Sequence, residues 1–256
     1  MATLVEEALA QFTDAGQLAG AATLVCRHGT EPVCAVAGWR DVEARAPIQR
    51  DTIFRIASMT KPVTSTAALM LYDEGRFQLD DPITEWAPEF ADMRVLRDVE
   101  GSLDDTVPAE RAITFGDLLT HRAGLTYGAF HAGPINPAYA ATLGADIDSH
   151  LTPDEWIAGL AGLPLIDQPG AGFHYGCSTD LLGFLVARIE GSTLGEVLER
   201  RIFGPLGMTD TGFTVPAEKR DRRAKMYGFD ADGRLVETPA HPPPPQTAGA
   251  PAECAG

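Results

Sequence analysis

Apolar residues are spaced in three ways along this chain, and each spacing predicts a different element. Residues Leu4 to Phe12 place Leu4, Val5, Ala8, Leu9 and Phe12 at helical intervals around Glu6 and Glu7, which predicts an amphipathic helix. Two apolar runs follow, Ala21–Arg27 and Val33–Ala37, with His28-Gly29-Thr30 at the start of their connection. That pattern predicts a hairpin in which Gly29 supplies the positive φ of a tight turn. Trp39 to Arg50 is charged and reads as loop. Ser58 to Tyr72 is the strongest helical segment, with Val63, Ala67, Leu69, Met70 and Leu71 apolar on nearly every side, and it stops at Gly75. A helix apolar all round belongs inside a protein.

From Asp80 to about Gly212 the pattern is one of short helices joined by Pro- and Gly-containing loops, clearest at Pro153–Leu160, Thr179–Ile189 and Leu194–Arg201. Residues Ala240 to Gly256 are rich in Pro, Ala and Gly and have no core pattern, as in a linker or tail. The expected organisation is one domain over residues 1–239, with a helical region at about 80–212 and a tail at 240–256. No internal repeat is visible. Two strands alone do not make a stable sheet, so this pattern leaves the sheet unfinished.

With 256 residues, 45% of them hydrophobic, the chain can bury a substantial core. Its formal net charge of −16 argues against nucleic acid as a partner, since phosphate binding requires clustered basic surface. The one dense basic group, Lys219, Arg220, Arg222, Arg223 and Lys225, is interrupted by Asp221 and reads as a solvated face. The N-terminus lacks a basic leader region and no stretch approaches membrane-spanning length, so a cytoplasmic protein without membrane contact is expected. Cys26, Cys34, Cys177 and Cys254 form no C-x-x-C pair, and the six histidines show no metal-ligand spacing. Neither a metal nor another cofactor is expected. Cys26 and Cys34 are placed to face each other across the hairpin as a reduced pair.

Chemistry enters at Ser58-Met59-Thr60-Lys61, where a loop passes into the apolar helix. The i to i+3 spacing sets Ser58 and Lys61 one turn apart on one face, and free N–H groups at a helix start favour developing negative charge. A neutral amine beside a hydroxyl can take its proton, which is what a serine nucleophile requires. With six serines and three lysines in the chain, a chance S-x-x-K has an expectation of roughly 0.07, which makes the motif informative without making it decisive. The competing reading is a capping serine followed by a surface lysine.

A second candidate lies in Phe173-His174-Tyr175-Gly176-Cys177-Ser178-Thr179-Asp180, behind the turn Pro169-Gly170. Tyr175 would act as a base if a nearby lysine favoured its phenolate; otherwise it is a tyrosine packed over a helix start. His174 and Cys177 are a weak Cys–His pair. His121 reads as a structural histidine at a helix end. No G-x-S-x-G elbow, phosphate loop or dinucleotide fingerprint occurs.

The runs TIFRIASMTKPVTS, LDDPITEWAPEFADMRVL, ITFGDLLTHRAGLTYG, QPGAGFHYGCSTDLLGFLVARIEG and RIFGPLGMTDTGF resemble the serine beta-lactamase-like family. That family includes class C beta-lactamases, D-alanyl-D-alanine carboxypeptidases, and esterases and transesterases. The resemblance spans about residues 5–230, with five blocks in the family's order. It implies an α+β fold, a beta-lactamase/penicillin-binding-protein-like antiparallel sheet flanked by helices with a helical region inserted. It also implies an S-x-x-K pair at Ser58 and Lys61 and a Y-x-N motif beginning at Tyr175.

Cys177 stands at the substrate-binding position where the family's beta-lactamases carry Asn. A thiol replaces an amide poorly as a hydrogen-bonding group, which favours simple esters. The family's third motif, on a late strand that supplies the second oxyanion donor, does not occur before Gly256. On that basis the C-terminal strands are expected to be missing from this chain, leaving a sheet edge open to self-association. The implied activity is that of a serine hydrolase acting on small carboxylic esters through an acyl-enzyme on Ser58. The alternatives are a beta-lactamase or D-Ala-D-Ala peptidase, or a truncated, inactive binding or assembly module.

Overall fold

The structure is a computed structural model that describes residues 2–30, 32–144 and 149–238. The described residues fall into two compact units, residues 2–55 with 214–238, and residues 56–213. The first unit opens with helix α1 (Ala2–Asp14), followed by strands β1 (Gly20–Val25), β2 (Val33–Asp41) and β3 (Ala46–Pro47). They form an antiparallel sheet in the order β1-β2-β3, with Gly20 opposite Gly38 and Val25 opposite Val33. The hairpin anticipated from the apolar runs is present, and Gly29 has a φ of +75° in its turn.

Two details depart from the sequence reading. Trp39–Asp41 is strand, the continuation of β2, and it pairs with Ala46–Pro47, the third member of the sheet. Gly38, at φ +72°, and a register shift between Trp39 and Asp41 bend β2 there. A bulge breaks the period of two, so the continuing strand reads as loop. Cys34 lies opposite Leu24, while Cys26 is exposed beyond the end of β1. The two thiols therefore do not form a facing pair.

The second unit begins with a 3₁₀ turn, Ala57–Met59, that runs into α2 (Thr60–Asp73). A hairpin of β4 (Arg94–Leu96) and β5 (Thr106–Pro108) comes next, and then α3 (Phe115–Leu119), α4 (Ile135–Leu143), α5 (Pro153–Ala161) and α6 (Ser178–Glu190). It closes with α7 (Leu194–Leu198), a π turn at Glu199–Phe203 and α8 (Gly204–Leu206). Helices α3, α5 and α7 each start in a capping box: Thr114 with Asp117, Thr152 with Glu155, and Thr193 with Glu196.

Helix α2 is buried along one stripe, Thr64, Ala67, Ala68 and Leu71, and not all round, since Leu69 is 43% exposed. The β4–β5 hairpin was not foreseen, because three-residue strands are too short to show a period. Helices α2 and α6 pack against each other where α6 carries Gly183. A Cβ there would come within 2.8 Å of Leu194 and 3.4 Å of Thr64. At the far end of α6, Glu190 accepts from Arg200 and Arg201 and pairs with Arg76. Hydrogen bonds from Arg201 and then Arg200 hold its carboxyl down at about 2.

Residues 214–238 rejoin the first unit through a 3₁₀ helix, Ala217–Arg222, and the antiparallel pair β6 (Tyr227–Phe229) and β7 (Leu235–Glu237). Two members of the basic group are engaged within that unit: Arg222 donates to the Asp51 carbonyl at 2.8 Å, and Lys225 sits 3.2 Å from Asp41 and 2.8 Å from Glu237. The anticipated tail at 240–256, with Cys254, lies outside the described residues. Among the described residues no helix is long and apolar enough to cross a membrane, and no group of side chains is arranged to hold a metal ion.

Candidate active site

Ser58 lies in the 3₁₀ turn that precedes α2, one turn earlier than a simple helix start. The residue before it, Ala57, has a φ of +45°, a left-handed conformation that residues with a Cβ seldom adopt and that tends to cluster at functional sites. This turn leaves Ser58 exposed and Lys61 half-buried in the first turn of α2. Lys61 Nζ stands 3.4 Å from Ser58 Oγ, so the i to i+3 spacing places the two groups together.

Two further segments converge on Lys61. One follows α3 and carries Tyr127; the other leads into α6 and carries Tyr175, Cys177 and Asp180. They approach closely because residue 176 is glycine: any Cβ there would collide with the backbone of Thr126 and Tyr127. Lys61 Nζ donates to Tyr127 Oη at 3.0 Å, and Tyr127 Oη donates in turn to Asp180 Oδ2 at 3.3 Å. Burial pushes the Asp180 carboxyl above the usual carboxylate range, against the opposing pull of the Lys61 charge. Burial, and next the Asp180 charge, push the Tyr127 phenol far above its ordinary value, so Tyr127 keeps its proton at neutral pH.

Tyr175 presents its ring rather than its hydroxyl to the amine. Lys61 Nζ lies 5.1 Å from the Tyr175 ring centre and 5.5 Å from that of Tyr127, within the range of cation–π attraction. Behind Tyr175 the His121 ring stacks at 4.9 Å and 29°. His121 has a φ of +54°, and its Nε2 is 3.4 Å from Thr179 Oγ1. Burial, reinforced by the Lys61 charge, lowers its pKa, so the imidazole is neutral at pH 7. His174 pairs with Asp167 at 2.9 Å, which gives its ring a partner other than Cys177.

Of the residues singled out in the sequence, Ser58, Lys61 and Tyr175 come together. Cys177 is only 3% exposed, at the N-cap of α6, where it joins the apolar core. Tyr127 and Asp180 were missed. The signal for Asp180 was a lone acid in the otherwise apolar stretch Leu181-Leu182-Gly183-Phe184-Leu185 and its neighbours; that for Tyr127 was its place in one of the five family-like blocks.

A sequence profile of the Beta-lactamase family matches residues 5–253, and the chain belongs to that family. The mycobacterial Protein Rv1367c, from Mycobacterium tuberculosis (strain ATCC 25618 / H37Rv), is 47% identical over 243 residues, which are 94% of this chain and 59% of that protein. Esterase EstB from Burkholderia gladioli is 37% identical over 206 residues, 80% of this chain and 49% of EstB. The chain thus spans about half to three-fifths of the curated relatives it matches. Among solved structures, EstCE1, a hydrolase with promiscuous acyltransferase activity, superposes with a TM-score of 0.78 at 27% identity. That match covers 97% of this chain and 62% of EstCE1. The fold is the α+β arrangement of that family, helices with small antiparallel sheets.

Proposed function

We propose that the protein is a serine hydrolase that cleaves small carboxylic esters through an acyl-enzyme on Ser58 and passes the acyl group to water or an alcohol. The observation that carries this is the 3.4 Å approach of Lys61 Nζ to Ser58 Oγ at the entrance to α2. The names of EstB and EstCE1, an esterase and a hydrolase with acyltransferase activity, point the same way.

In the proposed reaction, Ser58 Oγ bonds to the ester carbonyl carbon while its proton passes to Lys61 Nζ. The carbonyl oxygen takes up negative charge beside the backbone N–H of Ser58. As the tetrahedral species collapses, the carbon–alkoxide bond breaks and the proton goes to the departing oxygen. Tyr175, beside Lys61, is the group proposed to give up its phenol proton there and to regain one from Lys61. Water or an alcohol then repeats the sequence in reverse.

The test is covalent labelling by a fluorophosphonate probe, followed by peptide mass spectrometry, together with turnover of p-nitrophenyl butyrate. The probe should attach to Ser58, and Ser58→Ala should lose labelling and reduce turnover by roughly 10³-fold or more. Labelling that persists in the variant, or moves to Cys177, would refute the assignment.

A further inference from the structure

Lys61, Tyr127 and Asp180 form a line with a fixed direction. A phenol has one O–H proton, and Tyr127 uses it toward Asp180 Oδ2, 3.3 Å away. The lone pairs of the same oxygen are then left to receive Lys61 Nζ at 3.0 Å. The Asp180 oxygen accepts that bond and so fixes which way the Tyr127 hydroxyl points, and through it where the Lys61 amine rests. We infer that Asp180 is a positioning residue for Lys61, acting through the Tyr127 hydroxyl, and that this line sets the place of the amine beside Ser58 and its reactivity. The inference rests on the proposed roles of Ser58 and Lys61.

The groups that face Lys61 come from three directions. Ser58 stands on its own turn; His121 and Tyr127 come from the segment after α3; Tyr175 and Asp180 come from the start of α6, with the buried Cys177 near Tyr127. Tyr127 and His121 are neutral at pH 7 for the reasons given above, and Asp180 is the carboxyl group among them. Burial raises its pKa, while the Lys61 charge, a hydrogen bond from its own backbone N–H and its place in the first turn of a 13-residue helix work the other way. A carboxylate linked to the ammonium in this way stabilises the charged amine. It keeps Lys61 in place beside Ser58.

The test measures the amine directly. In a Ser58→Ala background, so that no acyl group can pass to the serine, Lys61 is acetylated with trace acetic anhydride across a pH series. The extent of reaction at its peptide is read by mass spectrometry. Asp180→Asn keeps the size and an acceptor oxygen but removes the charge. The pH midpoint of Lys61 acetylation should then fall by on the order of one unit. The acid limb of ester turnover should fall with it in the serine-containing protein. Tyr127→Phe, which leaves Asp180 in place but breaks the line, should move the midpoint in the same direction by less.

An unmoved midpoint in both variants, or an upward shift, would overturn the inference and leave Asp180 as a packing residue of α6. If Asp180→Asn does not fold, Tyr127→Phe decides the matter alone. Absence of ester turnover in the parent protein would count against the proposed reaction. The acetylation midpoints would still test the line.

Discussion

The two compact units handle the same kinds of residue in opposite ways. In residues 2–55 with 214–238, the buried apolar side chains among those described are Ala35 and Ile48, while Leu24, Val25 and Trp39 stand exposed along the hairpin. Residues 56–213 enclose a continuous core built from α2, α5, α6 and α7. Their lysines differ as well. Lys225 in the first unit is clamped between the Glu237 and Asp41 carboxylates, which hold its ammonium well above the ordinary lysine value. Lys61 in the second unit has hydroxyls as its hydrogen-bonding neighbours and reaches a carboxylate through a phenol. A directly paired lysine is held as a cation. Lys61 is bonded to no carboxylate directly.

The sharpest way to break this contrast is to change each lysine to arginine. Arginine keeps the charge but does not deprotonate in a protein. Lys61→Arg should slow fluorophosphonate labelling and ester turnover by on the order of 10³-fold, nearly as much as Lys61→Ala. Lys225→Arg preserves its ion pairs and should leave both rates within about twofold, as surface ion pairs are worth little. Retention of most activity in Lys61→Arg would make Lys61 an electrostatic or structural residue.

A smaller effect separates the two tyrosines. Tyr175→Phe removes a hydroxyl but keeps the ring that faces Lys61 Nζ and stacks on His121. Turnover should fall about 10²-fold, while the pH midpoint of Lys61 acetylation stays where it was. Tyr127→Phe should move that midpoint. Steady-state kinetics and acetylation profiles of the two variants, run side by side, check the division. Unchanged turnover in Tyr175→Phe would remove that hydroxyl from the reaction.

Much of this site could be read before any coordinates. Ser58 and Lys61 are three residues apart, so their meeting is a local property of a helical turn. Gly29 marked its hairpin for the same local reason. Tyr127 and Asp180 are 66 and 119 residues from Lys61, and no spacing rule joins them; the fold does, through the close approach that Gly176 permits. Tyr175 was assigned from the family resemblance, which indicates a position in the chain and not which face of the ring meets the amine. Cys177 was read in the same way, and its burial could not be seen from the motif. The strand at Trp39–Asp41 and the hairpins at β4–β5 and β6–β7 escaped notice because a bulge or a three-residue length hides the alternation on which strand prediction depends.

The smallest effect concerns packing, and it tests whether the open face of the hairpin is open in solution. Leu71 in α2 is fully buried, whereas Leu24 in β1 is 56% exposed. Leu71→Ala deletes core contacts and leaves a cavity, at a cost of about 3 kcal/mol. Leu24→Ala removes surface that water already reaches, and should cost less than about 1 kcal/mol. Urea unfolding resolves the two because each unit has its own reporter: Trp39 in the first, Trp86 and Trp156 in the second. A Leu24→Ala cost as large as that of Leu71→Ala would mean that something covers the Leu24 side of β1 in solution. Among the described residues β1 is a terminal strand of the β1-β2-β3 sheet, and an unpaired edge is a template for another strand. If the added cost then disappeared on tenfold dilution, the cover would be a second copy of the chain. If it persisted, the cover would come from within the same molecule.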